Sequence, residues 1–246
     1  MSDRSFVIDS LPQSAASYRQ SHAIVAVDVF RATTLIVTAL ACGHPIYPVA
    51  TVVEALDTAA RLHDPLLAGE LAGVKPQGFD LNNSPAAVER LGDCRAIVHL
   101  SSAGTQLLIQ ARGASSIYVA CLRNLTATAR QLAASHLRIA LIGAGTNGSP
   151  RPEDQYACAR IGETLLAAGY SPEDQRTEGE LARWKGVAVE ELRESPSADF
   201  LRNSEQTEDL EYVLSRVDDV DAAAVFNGQQ VSLLLPIPQS LFAAEA

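Results

Sequence analysis

Apolar runs of four or five residues recur along this chain, at 23–27, 46–49, 65–68, 96–99, 116–119 and 138–142, with longer Ala- and Leu-rich segments between them. Short unbroken runs of this kind read as sheet strands, and the longer segments as the helices that cover the sheet. The alternation predicts an α/β protein: a mainly parallel or mixed sheet flanked by helices in a three-layer α/β/α arrangement. Two further strands are expected at 222–225 and 231–235. Helix starts are signalled by chemistry as well as by periodicity. Thr51-Val52-Val53-Glu54 has the form of a capping box, and Ser84-Pro85 supplies a capping hydroxyl followed by a proline suited to the first turn. Amphipathic helices are expected over 124–134 and 153–169, the second ending at Gly169.

With 246 residues, 47% of them hydrophobic, the chain can bury a sizeable core, as one unit over 1–246 or as two intimately packed lobes. From 171 to 221 the composition turns polar and charged, which suggests an outer helical layer or a lid. The formal net charge of −10 argues against nucleic acid or an anionic membrane as partner. No apolar run reaches the length of a membrane span, and the N-terminus has no signal-peptide pattern, so a cytoplasmic location is expected. Cys42, Cys94, Cys121 and Cys158 are too widely spaced for a zinc motif and read as reduced thiols. A homodimer is an assembly open to such a chain.

The chemistry collects where strands end. In "AIVAVDVFRATTLIVTALACG" (23–43) an apolar run stops at Asp28, with Arg31, Thr33 and Thr34 just beyond. Ligands of open α/β sheets sit past the carboxyl ends of strands, where a carboxylate can hold a divalent cation and a guanidinium can grip a phosphate. A purely structural role, capping the next helix, suits the same residues. In "LLAGELAGVKPQGFDLNNSP" (66–85), Glu70, Lys75 and Asp80 precede the amide run Asn82-Asn83; a loop of that length and polarity tends to line a site. "IVHLSSAGTQLL" (97–108) passes from strand through Ser101-Ser102-Ala103-Gly104-Thr105 into a helix, and its backbone amides can meet an anion, although the Walker ending is absent. The loop of "IALIGAGTNGSPRPEDQYACA" (139–159) carries Gly143, Gly145, Arg151, Glu153 and Asp154. Four strand-end loops bearing acidic, basic and hydroxyl groups argue for a metal-assisted site for a small anionic substrate.

At these same stretches the chain resembles the 2-phosphosulfolactate phosphatase family. That family's D-V-x-R-A-T-T turn is matched by Asp28 to Thr34, and its A-G-E … G-F-D-x-x-N-S-P segment by Ala68 to Pro85. Its T-T-N-G-T turn corresponds to Ser101–Thr105, and its C-A-G-T-x-G … E-D loop to Gly143 through Asp154. The resemblance implies an α/β fold and a magnesium-dependent release of phosphate from 2-phospho-3-sulfolactate, giving 3-sulfolactate on the way to coenzyme M. Carried onto this chain, it suggests Asp28, Glu70 and Asp154 as magnesium ligands. Asp80 would be an alternative ligand or general acid/base, and Asp28, Arg31 and Asp80 form the catalytic set. Arg31, Thr33, Thr34, Asn83 and the loop residues Ser101, Ser102, Gly104 and Thr105 would hold the phosphorylated substrate, with Lys75 or Arg151 at its sulfonate end. Two departures stand out: the family's cysteine is Gly143 here, which excludes a thiol nucleophile, and its asparagine is Ala103. They leave two rivals, a phosphatase for another small 2-phospho acid and a member that only binds a small anion.

Overall fold

The computed structural model describes residues 4–234. Its strands are β1 (Ser5–Ser10), β2 (Ala23–Val27), β3 (Ile46–Val49), β4 (Leu66–Gly69), β5 (Ile97–Leu100), β6 (Ile117–Ala120), β7 (Arg138–Gly143), β8 (Ser171–Pro172), β9 (Ala224–Phe226) and β10 (Val231–Leu233). Its helices are α1 (Ala15–Tyr18), α2 (Ala32–Ala41), α3 (Val52–Ala59), α4 (Pro85–Glu89), α5 (Gly104–Gln110), α6 (Leu125–Ser135), α7 (Pro152–Ala167), α8 (Gln175–Trp184), α9 (Pro196–Asn203) and α10 (Thr207–Leu214). All eight expected strands are present within a residue or two of their predicted bounds; Leu235, the last residue of one of them, lies outside the described residues. β1 and β8 were not expected. β1 is framed by Ser5, Asp9 and Ser10, and only Phe6, Val7 and Ile8 are buried, so its apolar stretch is too short to stand out.

One mixed sheet of ten strands has the order β4-β5-β3-β10-β9-β6-β2-β7-β1-β8. Two parallel blocks, β4-β5-β3 and β6-β2-β7-β1-β8, are joined by the antiparallel hairpin β9–β10. Sheet twist of about 20–25° per strand accumulates across this join. The carboxyl ends of β2, β4, β5 and β7 open onto one cleft, whose lining includes Phe30, Glu70, Ser102 and Thr146.

Burial explains why β2 reads so clearly: all five of its residues are inaccessible, between β6 and β7. The following α2 is a core helix, with every residue from Ala32 to Ala39 buried and Leu35 and Ile36 fully so. Each such side chain contributes about 1.5–3 kcal/mol of transfer free energy. Thr51 caps α3 by accepting from the Glu54 N–H, while the Glu54 carboxylate reaches back to the Ala50 N–H, one residue earlier than a standard capping box. Ser84 caps α4 by accepting from the Ala87 N–H. The polar stretch 171–221 holds α8, α9 and α10; α9 lines the cleft, and α10 reaches it through the bond between Asp209 and Arg31.

At the opposite end of the central block, Glu173 ties three strands together. It accepts from Ser5 Oγ at the start of β1, from both Nε and Nη2 of Arg138 at the start of β7, and meets His22 Nε2 just before β2. Burial works to raise its pKa, but the Arg138 grip and the other partners win and hold the carboxyl down at about 2. A carboxylate depressed on folding contributes stability above its unfolded pKa, and that contribution is lost as the pH falls toward the folded value. Glu173→Gln should therefore cost about 1 kcal/mol at neutral pH, a figure discounted for partial exposure. Urea titrations of both proteins should show the gap closing between about pH 4.5 and pH 2; a gap independent of pH would mean that charge plays no part.

Candidate active site

Asp28 follows β2 directly, and its backbone is pinned by Thr33. The Thr33 hydroxyl donates to the Asp28 carbonyl at 2.8 Å and accepts from the Asp28 N–H at 2.9 Å. The carboxylate turns into the cleft, with Oδ1 accepting from the Ala32 N–H at 3.2 Å. Gly104, the first residue of α5, makes room for it: a Cβ there would stand 2.6 Å from both Asp28 Oδ2 and the Ala32 Cβ. Gly69 plays the corresponding part in β4. Its φ of +147° and its approach to the Leu100 carbonyl, 2.0 Å from where a Cβ would lie, leave glycine as the residue that fits. Glu70 is thereby delivered to the end of the strand.

Acidic groups dominate the floor. Burial pushes the Asp28 carboxyl up to about 7 against the Ala32 N–H, with Glu70 and Glu153 adding to the rise. Asp154 is raised well above the usual carboxylate range, by burial first and then by Asp28 and Glu153. Glu153 is raised by burial, and its Oε2 has no hydrogen-bond partner among the described residues. Two cations answer. Arg31 is almost completely buried and donates from Nη1 to Asp209 Oδ2 at 2.5 Å. Arg151 faces the cleft with a buried Nε that has no partner among the described residues.

Of the expected residues, the structure brings Asp28, Arg31, Glu70, Asn83, Ser102 and Arg151 together around a cavity of about 210 Å³. Others fall elsewhere. Thr33 and Thr34 are fully buried and give their hydroxyls to the Asp28 and Val29 carbonyls, so they shape the turn rather than face a ligand. Ser101 and Thr105 are buried and bonded to one another, each side chain to the other's backbone N–H. Gly104 acts by its lack of a side chain. Lys75 and Asp80 are exposed: Lys75 Nζ donates to the Asp80 carbonyl, and Asp80 Oδ2 accepts from the Leu67 N–H. The middle of the 66–85 loop thus fastens itself, and only its two ends reach the cleft.

Nor do the three expected metal ligands form one shell. Glu70 gives its oxygens to the Ser102 N–H and hydroxyl and to the Gly73 N–H. Asp154 stands behind the cleft and accepts from the Val29 and Gly145 N–H groups. Among the described residues, no three His, Cys, Asp or Glu side chains gather into a group that could hold a metal ion. The donor chemistry still suits magnesium, which is commonly held by one or two carboxylates with water and substrate oxygens completing the shell. Asp28 and Glu70 line the cavity, and Glu70 and Glu153 help to raise the Asp28 pKa, a crowding of carboxylates that a hard cation would relieve.

Residues not foreseen complete the site. Asp209, from the first turn of α10, accepts from Arg31, Ser84 Oγ and the Ala86 N–H, knitting the outer layer to the cleft. Its separation of 178 residues from Arg31 left no local pattern to find. Phe200 of α9 lies against Gly73, where a Cβ would meet its ring at 2.4 Å. Gly143 is equally confined: a Cβ would come within 2.8 Å of the Asp154 Cβ and 2.6 Å of Gln155 Nε2.

The strand ends of this α/β sheet present the buried carboxylates of Asp28 and Glu70 in one cleft with Arg31 and Arg151. The chain belongs to the 2-phosphosulpholactate phosphatase family, whose profile matches residues 9–227. It is 34% identical over 186 residues to a probable 2-phosphosulfolactate phosphatase of Carboxydothermus hydrogenoformans, covering 75% of this chain and 74% of that protein. A protein of the same description from Deinococcus radiodurans is 34% identical over 211 residues, 83% of this chain and 86% of its own length. A third, from Pseudothermotoga lettingae, is 33% identical over 195 residues, 78% and 80% respectively. Among the described residues, no helix is long and apolar enough to cross a membrane.

Proposed function

We propose that this chain is a magnesium-dependent phosphatase that hydrolyses 2-phospho-3-sulfolactate to 3-sulfolactate and phosphate. The observation that carries the reading is the meeting of Asp28 and Glu70 with Arg31 and Arg151 in one small cleft. Magnesium bound there would neutralise charge on the phosphoryl oxygens and lower the barrier to attack by water. Arg31 keeps further N–H donors beyond the one given to Asp209, and these suit the equatorial oxygens of the phosphoryl group. Arg151, with its unpartnered Nε, suits the sulfonate or carboxylate at the other end of the substrate. Glu70 fixes the Ser102 loop, and Asp154 fixes the backbone on either side of the cleft through Val29 and Gly145. Asp154 acts by holding geometry, while Asp28 and Glu70 would also hold the magnesium.

Phosphate release from racemic 2-phosphosulfolactate and from phospholactate, each with magnesium and with EDTA, tests this reading. Release that needs magnesium and favours the sulfonated compound is the expected result. Equal rates on both would indicate a broader phosphatase for 2-phospho acids. No release from a folded protein would leave a protein that binds small anions, with Ala103 and Gly143 as the places where it departs from its relatives.

A further inference from the structure

β5 carries one polar side chain into the core. Its sequence is Ile97-Val98-His99-Leu100, all four residues are buried, and His99 is fully inaccessible. Burying an imidazole costs free energy unless its nitrogens are used. One is: His99 Nε2 lies 3.0 Å from Asn83 Oδ1. Nδ1 has no partner among the described residues. The two possible tautomers differ in what this leaves orphaned. With the proton on Nδ1, a buried N–H donor would have no acceptor; with the proton on Nε2, only a lone pair goes unmet. Buried orphan donors are the rarer and costlier case, so the proton belongs on Nε2. Burial also pushes the imidazole down to about 3, so the ring stays neutral throughout the physiological range.

A neutral ring donating from Nε2 fixes the Asn83 amide as well. Its oxygen is held toward His99, and its NH2 group is the end left for the cleft that Asn83 lines. The Asn83 backbone is restrained too, because its N–H donates to Asn82 Oδ1 at 2.7 Å. We propose that His99 is a positioning residue: its Nε2–H holds Asn83 so that the amide NH2 is presented to an anionic oxygen of the substrate. This deepens the phosphatase reading and rests on it for the identity of that oxygen. It adds to the cleft a neutral donor that Asn83 could otherwise lose by turning its amide over.

Calorimetric titration of the full chain with inorganic phosphate tests the proposal, alongside substrate KM and kcat. His99→Leu and Asn83→Ala should each weaken phosphate binding by about tenfold, the worth of one hydrogen bond to a charged group. The double variant should bind no more weakly than Asn83→Ala alone, because both changes remove the same contact. His99→Gln, whose side-chain N–H can reach the same oxygen, should restore most of the affinity, and KM should move with little change in kcat. Unchanged phosphate affinity in His99→Leu, or additive losses in the double variant, would overturn the proposal. If the wild type binds phosphate through this pair but turns over no substrate, the positioning stands and the phosphatase reading falls. A measurement on the unaltered protein guards against a variant that does not fold: nitrogen-15 spectra of the histidines should show His99 protonated at Nε2 and bare at Nδ1. A proton on Nδ1 would end the argument.

Discussion

Asp28→Asn should lower kcat by about 10³-fold or more, the scale on which removal of a single preorganised charged group acts. Asparagine has the same shape and keeps an oxygen to accept from the Ala32 N–H, so α2 retains its start. What disappears is a carboxylate that shares the cleft with the two arginines and that would hold a divalent cation. Thermal melts in magnesium and in EDTA supply a second readout. A ligand at 100 times its Kd stabilises by about 2.7 kcal/mol, and for a domain of this size each kcal/mol moves Tm by about 2–4 °C. Magnesium should therefore raise the melting temperature of the wild type by several degrees and leave Asp28→Asn almost unmoved. In EDTA the variant should melt no lower than the wild type, because it removes a buried carboxyl that desolvation already disfavours as an anion. Full activity in Asp28→Asn would take this residue out of the site.

The sequence announces Asp28 because of a contrast: a fully buried strand and a helix buried from Ala32 to Ala39 meet at a carboxylate, and nothing but a turn separates them. The same contrast is absent at Thr33 and Thr34. A hydroxyl beside a strand end is equally suited to a phosphate oxygen or to a backbone carbonyl one turn away, and here the backbone has it. Lys75 and Asp80 were misleading for a related reason. Charge density in a long loop marks the loop as unusual, but the charges here close the loop on itself, while Glu70 and Asn83 at its ends do the lining. His99 was hidden by its surroundings, because a lone histidine in an apolar strand reads as core until its partner across the fold is seen. Strand periodicity and helix caps are local and were legible. The pairing of α10 with the cleft depends on contacts between segments far apart in the chain, which no window of sequence contains.

Those distant contacts give the second large effect, at Asp209. It holds Arg31 through Oδ2 and the α4 entry, Ser84 Oγ and the Ala86 N–H, through Oδ1, and both members of the ion pair are almost wholly inaccessible. Removing one partner of such a pair strands the other charge in a medium that solvates it poorly, which costs about 3–5 kcal/mol. Asp209→Ala should lose that much in urea unfolding and melt about 10 °C lower, at about 2–4 °C per kcal/mol for a chain of this length. Activity should fall as well, because Arg31 freed from Asp209 turns toward the carboxylates of Asp28 and Glu70, which already face it across the cleft. Pairing the change with Arg31→Met separates the two consequences. The double variant no longer buries an unmatched guanidinium, so it should recover much of the lost stability, as buried ion pairs replaced together by apolar groups generally do. It should recover none of the turnover, since the cation that would meet the phosphoryl oxygens is gone. If stability and activity instead returned together, Arg31 would be a structural partner of Asp209 and nothing more, and Arg151 would be left as the cation that meets the substrate.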